Sequence, residues 1–211
     1  MNIQSKSKQL TLVGMIAAII FLLAFTPIGY IQLPFIKATI IHIPVIIGSI
    51  ILGARYGSVL GFMFGLTSLI NNTMTPAISS FVFSPFIPVP ATGNGSPLAL
   101  IVCFVPRILV GVFPALTYKG INKLCRGRFE VVTLTISGVI GSLTNTLLVM
   151  NLIFFFFKDS YAAVRNVALD AVYNVILGII AVNGIPEAIV AGILTAAVCI
   201  PIKIVGHRQK M

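Results

Sequence analysis

Arg107 is the residue whose type and place most demand a chemical explanation. It stands nine positions into the apolar run that opens at Leu98, between Pro106 and Pro114. On a helix rising about 1.5 Å per residue that depth is roughly 13 Å, close to the middle of a hydrocarbon layer ~30 Å thick. A charge there costs about 2.5–3.5 kcal/mol on insertion scales and normally faces a partner or a wet cavity. The planar guanidinium pairs bidentately with carboxylates, which makes Arg107 a candidate anion clamp. The competing reading is a structural arginine satisfied by backbone carbonyls that Pro106 and Pro114 free. The four carboxylates, Glu130, Asp159, Asp170 and Glu187, fall at ends or in loops of the expected spans. An Arg107 without a carboxylate at its depth leans toward a ligand anion.

Asn145 is expected twelve residues below the outer end of its span, at a depth like that of Arg107. Its amide both donates and accepts, which suits a ligand with hydroxyls or an amide; an interhelical hydrogen bond is the alternative. Asn151 is placed to line the same entrance. Asn71, Asn72 and Thr73 cap an outer helix end, and Ser84, Thr92, Asn94 and Ser96 decorate the connection that follows. Each alone is a turn or cap residue; together with Arg107 they form a polar cluster on the outer half. His42, before Ile43-Pro44, reads as a helix-start residue more than as a ligand contact. A phosphate-binding loop, a His and carboxylate metal cluster and a buried carboxylate pair are all missing from the sequence. No catalytic residue, metal or cofactor is therefore expected, and proton coupling lacks its usual intramembrane acid.

The elements that must position these residues are membrane helices. Of 211 residues 58% are hydrophobic and 9% charged, against about 25% charged in soluble domains. That balance excludes an ordinary soluble enzyme, and at about 20 apolar residues per span it permits at most about six spans. Fourteen Lys and Arg against four Asp and Glu leave a formal charge of +10, which reads as positive residues in cytoplasmic loops and not as nucleic acid binding. Cys103, Cys125 and Cys199 match neither a metal site nor a disulfide framework. The apolar run after Lys6 and Lys8 has no small-residue cleavage site and reads as a retained first span.

The expectation is an all-α membrane protein, one domain over 1–211, with six helices. They run roughly Leu10 to Pro27, Thr39 to Ala54, Tyr56 to Ile70, Leu98 to Lys119, Val131 to Phe157 and Pro186 to Ile204. With both termini cytoplasmic, Lys6, Lys8, Arg55, Lys119, Lys123, Arg126, Arg128, Lys203, Arg208 and Lys210 lie inside, and only Lys37, Lys158 and Arg165 outside. Val167 to Val182 is expected as an outer helix on or partly in the membrane, ended at Asn183-Gly184. The Pro-rich connection from Asn71 to Pro97, with Phe81, Phe83 and Phe86, reads as an ordered outer cap. Gly53, Gly57, Gly61 and Gly65, and again Ala188, Gly192 and Ala196, form small stripes for tight internal packing. Gly14 and Ala18, with Ala17 beside them, form a small pair left for a partner helix.

Six short helices, the small patch on the first, the long outer connection, and the run Ile41-His42-Ile43-Pro44 to Gly53-Ala54-Arg55-Tyr56-Gly57 resemble the substrate-binding S components of energy-coupling factor (ECF) vitamin transporters. The resemblance covers nearly the whole chain. His42 to Gly48, Phe64 to Asn72 and Ser80 to Pro85 look most like the pantothenate-type members. It implies a high-affinity subunit that captures a vitamin outside, associates with a transmembrane coupling protein and two cytoplasmic ATPases, and topples in the membrane to deliver its ligand. Family members meet the coupling protein through an Ala-x-x-x-Ala patch on helix one, matched here by Gly14 and Ala18. Flavin-carrying relatives often have an acid where His42 stands, which makes riboflavin less fitting. Pantothenate offers a carboxylate for Arg107, and an amide and two hydroxyls for Asn145 and the loop groups. A hydroxymethylpyrimidine or pyridoxine carrier would look similar, but a neutral pyrimidine would leave Arg107 without its partner. A stand-alone secondary carrier would need no partner proteins, and an intramembrane enzyme would need a catalytic constellation that is not visible.

Overall fold

The computed structural model describes residues 6–26, 29–33, 36–90 and 93–208; Pro27, Thr92 and Lys210 lie outside the described residues. Helix α1 (Lys6–Phe25) is apolar on every side. It buries Ile20 and Ala24 and leaves Leu10, Met15, Ile19, Leu22 and Phe25 facing outward. A short antiparallel hairpin follows, β1 (Tyr30–Leu33) with β2 (Ile36–Thr39), pairing Tyr30 with Thr39 and Leu33 with Ile36. The all-α expectation is amended by this hairpin, which takes Thr39 out of the second helix.

Helix α2 (His42–Leu52) has only 11 residues, about 16 Å of rise. Gly53, at φ 91°, breaks it from α3 (Ala54–Met74); this backbone conformation costs a glycine little and other residues more. Helix α4 (Leu98–Leu124) carries Pro106 and Pro114 inside it. Helix α5 (Glu130–Arg165) bends at Phe157, whose φ of −133° and ψ of 21° leave the helical region. The expected end of the fifth span at Phe157 is thus a bend.

The largest departure from expectation comes next. The stretch 167–182 does not end as a separate helix at Asn183-Gly184. Helix α6 (Val172–Ile179) passes through a π-helical turn (Ile180–Gly184) directly into α7 (Ile185–Arg208). Pro186 cannot donate to the carbonyl one turn behind it, and a widened turn absorbs that loss without breaking the rod. Counted as one rod, these segments bring the described residues to six helices. Among the described residues, four stretches are long and apolar enough to cross a membrane: α1, α4, α5 and Val172–Ile204.

Glycine sets the packing of α3 on α4. A Cβ on Gly57 would lie 1.9 Å from the Gly111 carbonyl oxygen, and one on Gly111 equally close to that of Gly57. One turn on, a Cβ on Gly61 would lie 2.2 Å from the Arg107 carbonyl oxygen, while at Gly65 the close neighbour is the Phe104 ring at 2.7 Å. The helices therefore touch backbone to backbone, as small residues allow where lipid supplies no hydrophobic drive. Gly138 meets Ala191 and Gly192 between α5 and α7. Both internal stripes thus serve packing, although Gly53 belongs to the break. At the end of the bundle near Gly53, Lys203 pairs with Glu130 at 2.5 Å, donates to the Tyr118 hydroxyl and lies over the Tyr118 ring, tying α4, α5 and α7 together.

Two apolar cores result. One gathers Ile20, Val45, Ile46, Leu60, Val110, Leu134 and Cys199 from the helices. The other holds the connection after α3 against α4, α5 and α6. There Phe81 and Val82, in a 3-10 turn (Ser80–Val82), are buried, and the Phe81 ring meets Phe157 edge-on at 5.9 Å. The expected ordered cap is present, while the Phe86 side chain is 73% exposed and only its backbone N–H joins the cap, donating to the Ser84 hydroxyl. Replacing Gly57 or Gly111 with leucine should separate α3 from α4 and lower the melting temperature followed by circular dichroism, at an overpacking cost of about 1–3 kcal/mol. Gly14→Leu is the control: nothing lies within 4 Å of its would-be Cβ, so its melting curve should match the wild type.

Candidate functional site

Between the two cores lies a cavity of about 320 Å³, within the size range of small-molecule sites. Its wall draws Ala24 from α1, Ile41 from the start of α2, and Phe64, Thr67, Ser68, Asn71 and Asn72 from α3. The cap contributes Phe83, α4 gives Arg107, and α5 gives Asn145, Thr146, Val149 and Met150. Ile179, Asn183 and Glu187 close it from the long last rod.

Arg107 is 7% exposed and has no ion-pair partner among the described residues. Its guanidinium carbon lies 4.9 Å from the Phe83 ring centroid and 5.7 Å from that of Phe64, so two aromatic faces hold it by cation–π attraction. Nη1 donates to the Val102 carbonyl at 2.8 Å. That carbonyl would normally accept from residue 106, and Pro106 has no N–H to give. The carbonyl freed by proline fixes one edge of the fork, while Nε is buried without a hydrogen-bond partner among the described residues. A buried donor left unsatisfied is costly unless something arrives to accept from it.

Asn145 joins this cluster as expected, with its Oδ1 buried and unpartnered among the described residues. Asn71 and Asn72 also line the cavity, but their amides are committed elsewhere. Asn71 donates to the Ala24 carbonyl and accepts from Thr75, whereas Asn72 donates to the Ser68 carbonyl and accepts from Ser80 of the cap. They hold the wall and the cap in place.

The structure does not bring Ser84, Asn94, His42 or Asn151 to the cavity. Ser84 is fully buried in a hydrogen bond with Thr73. Asn94 is exposed in the cap, where its carbonyl accepts from the Val89 amide. Asn151 bonds back to the Leu147 carbonyl of its own helix. His42 is buried at the start of α2, and its neighbour Ile41 takes the place at the wall.

Sequence reasoning missed Phe64, Phe83, Asn183 and Glu187. The sequence reading uses Phe83 as a sign of order in the loop and as part of the resembling run Ser80 to Pro85, not as a wall residue. Glu187 was set aside as a helix-end residue because the last span was started at Pro186. In a rod that begins at Val172 it lies well inside, and the expectation that no carboxylate sits at depth is corrected. On α1, Gly14 and Ala18 are exposed on the outward face, while Ala17 packs inward against the core.

Comparison with known proteins agrees with this architecture. The chain is 39% identical over 198 residues to the pantothenic acid transporter PanT of Lactococcus lactis subsp. cremoris, covering 92% of this chain and 93% of that one. It is 31% identical over 204 residues to the pantothenate transporter PanT of Leuconostoc mesenteroides subsp. mesenteroides, covering 92% and 91%. Residues 8–199 match the family described as ECF transporter, substrate-specific component. With nearly its whole length inside that match, the chain belongs to the family of substrate-specific components of ECF transporters.

Proposed function

We propose that this chain is the pantothenate-binding, multi-pass membrane subunit of an ATP-dependent uptake transporter. The observation that carries the proposal is the buried guanidinium of Arg107, lying over the rings of Phe64 and Phe83 in a cavity of ligand size with Nε unsatisfied among the described residues. A carboxylate is the group that satisfies it in a planar, charge-assisted way. The N-terminal end of α2, at Ile41, lines the same cavity, and the helix dipole there favours negative charge. Val149, Met150 and Ile179 supply apolar surface for the dimethyl carbon of pantothenate, and Asn145 suits its amide. The names of the two relatives point to the same ligand.

In this reading the six helices form one membrane bundle with both termini cytoplasmic, as the basic residues favour. The exposed Gly14 and Ala18 face meets a transmembrane coupling protein, and two cytoplasmic ATPases supply the energy. Without a phosphate-binding loop of its own, the chain leaves nucleotide hydrolysis to them.

Calorimetric titration of the purified protein in detergent tests the ligand, using panthenol, which carries a hydroxymethyl group in place of the carboxylate, as the probe of the anion. Arg107→Ala should cost about 2–4 kcal/mol of pantothenate binding, roughly 30- to 700-fold in Kd, and leave the weaker panthenol affinity nearly unchanged. Unchanged pantothenate affinity, or tight binding of hydroxymethylpyrimidine instead, would refute the clamp. Pro106→Ala restores an N–H that competes for the Val102 carbonyl. It should weaken pantothenate binding roughly 3- to 10-fold through the lost positioning of Nη1, again sparing panthenol. Gly14→Leu and Ala18→Leu should bind pantothenate normally yet cut ATP-dependent uptake in cells that carry the partner proteins; normal uptake by both would exclude this face as the docking surface.

A further inference from the structure

Polar groups without a hydrogen-bond partner among the described residues face the cavity from three walls. Arg107 Nε on α4 and Asn145 Oδ1 on α5 are buried in this state. The third is Asn183 on the π-helical turn, whose side-chain amide bonds to none of the described residues. Asn71 and Asn72, by contrast, arrive with their amides in use.

Close approaches give the relative depth of the three. A Cβ on Gly141 would lie 2.8 Å from Pro114 Cγ, and one on Gly184 would lie 3.0 Å from Thr146 Cγ2. The approach of Gly138 to Gly192 keeps the second of these registers. Counted from these points along the antiparallel neighbours, Arg107 is level with Leu148 of α5 and Asn183 with Leu147. With Asn145 on α5 itself, the three groups fall within about one helical turn, roughly 5 Å of rise. Their lateral order is equally defined, because α5 stands between α4 and the last rod and contacts both. Gly184 has no side chain to hold the π turn away from Thr146, and this carries the preceding Asn183 to the wall. Such turns recur at functional sites.

Pantothenate carries its polar groups in the matching order: carboxylate, amide, then the two hydroxyls of the acyl end. With the carboxylate on Arg107 and the amide at Asn145, the hydroxyl-bearing end falls to the wall of Asn183. A carboxamide both donates and accepts, as a hydroxyl does, so the two can pair in either direction without any charge. Resting on the pantothenate reading above, we infer that Asn183 is a specificity-determining residue: its amide hydrogen-bonds the hydroxyl-bearing acyl end and makes the site reject acyl amides that lack hydroxyls. An amide shut in by such an analogue and left unpaired keeps its desolvation cost. Sites built to bond a hydroxyl therefore reject the analogue without it more sharply than an apolar pocket rejects a missing methylene.

The test is calorimetric titration of the purified full chain in detergent with pantothenate and with dideoxypantothenate, which keeps the carboxylate, the amide and the branched carbon skeleton but has hydrogen in place of both hydroxyls. The wild type should bind the dideoxy compound roughly 30-fold or more weakly than pantothenate. Asn183→Leu, similar in size but apolar, should weaken pantothenate roughly 10-fold or more, leave the dideoxy compound unchanged or strengthen it, and so narrow the ratio at least about 10-fold. Equal affinity of the wild type for the two ligands would overturn the proposal without needing the variant. Equal weakening of both ligands by Asn183→Leu, complete loss included, would make Asn183 a support of the wall and overturn it as well. Wild type that fails to bind pantothenate at all would instead overturn the ligand reading on which the inference rests.

Discussion

A guanidinium cannot stay inside an apolar bundle unless its surroundings are built for it, and much of the cavity end of this protein follows from that constraint. Gly61 lets α3 lie directly on the Arg107 carbonyl, which brings Phe64 beneath the charge. Pro106 surrenders the Val102 carbonyl that holds Nη1. Phe83 reaches from the cap, its ring centroid 4.9 Å from the guanidinium carbon. Each contact fixes the cation without neutralising it, so the site is organised before any ligand arrives. Pre-organisation of this kind lowers the cost of binding, because the ordering is already complete.

The cavity exists because the fold keeps two cores where one would be simpler. The helical core ends at Ala24, Ile41 and Phe64, and the cap core ends at Val149. Helix α2, with its 11 residues, stops short and leaves Ile41 at the wall where a full-length helix would have continued. The cap is bound to the cavity wall itself, since Ser80 bonds to Asn72 and Ser84 to Thr73. Two polar residues that resemble ligand contacts are therefore anchors. They support the site by holding the cap that carries Phe83.

The same physics separates what was readable in advance from what was not. Arg107 stood out because one charge in a long apolar run is conspicuous at any register, and Asn145 because its depth matched. The glycine stripes were readable because a four-residue repeat must lie on one helix face. Glu187 was lost to a local signal: Asn183, Gly184 and Pro186 in close succession ordinarily end a helix, and here a π turn carries the rod through them. That misreading took Glu187, the one carboxylate among the described residues that line the cavity, out of consideration. The hairpin after α1 was missed for a similar reason, since Thr39 was read as part of an apolar helical run.

The sequence by itself determined the class of molecule, the charge buried at half depth and the faces on which helices touch, because hydropathy, periodicity and the missing N–H of proline act over a few residues. Only the tertiary structure decided which polar groups meet. Convergence depends on how far α4 and α7 slide along α5, and on which amides are already consumed by the backbone. Asn71 and Asn72 reach the cavity with their hydrogen bonds committed, His42 is turned away from it, and Glu187 arrives from a distant stretch of chain. Those outcomes are set by packing between helices far apart in sequence, which no local pattern records.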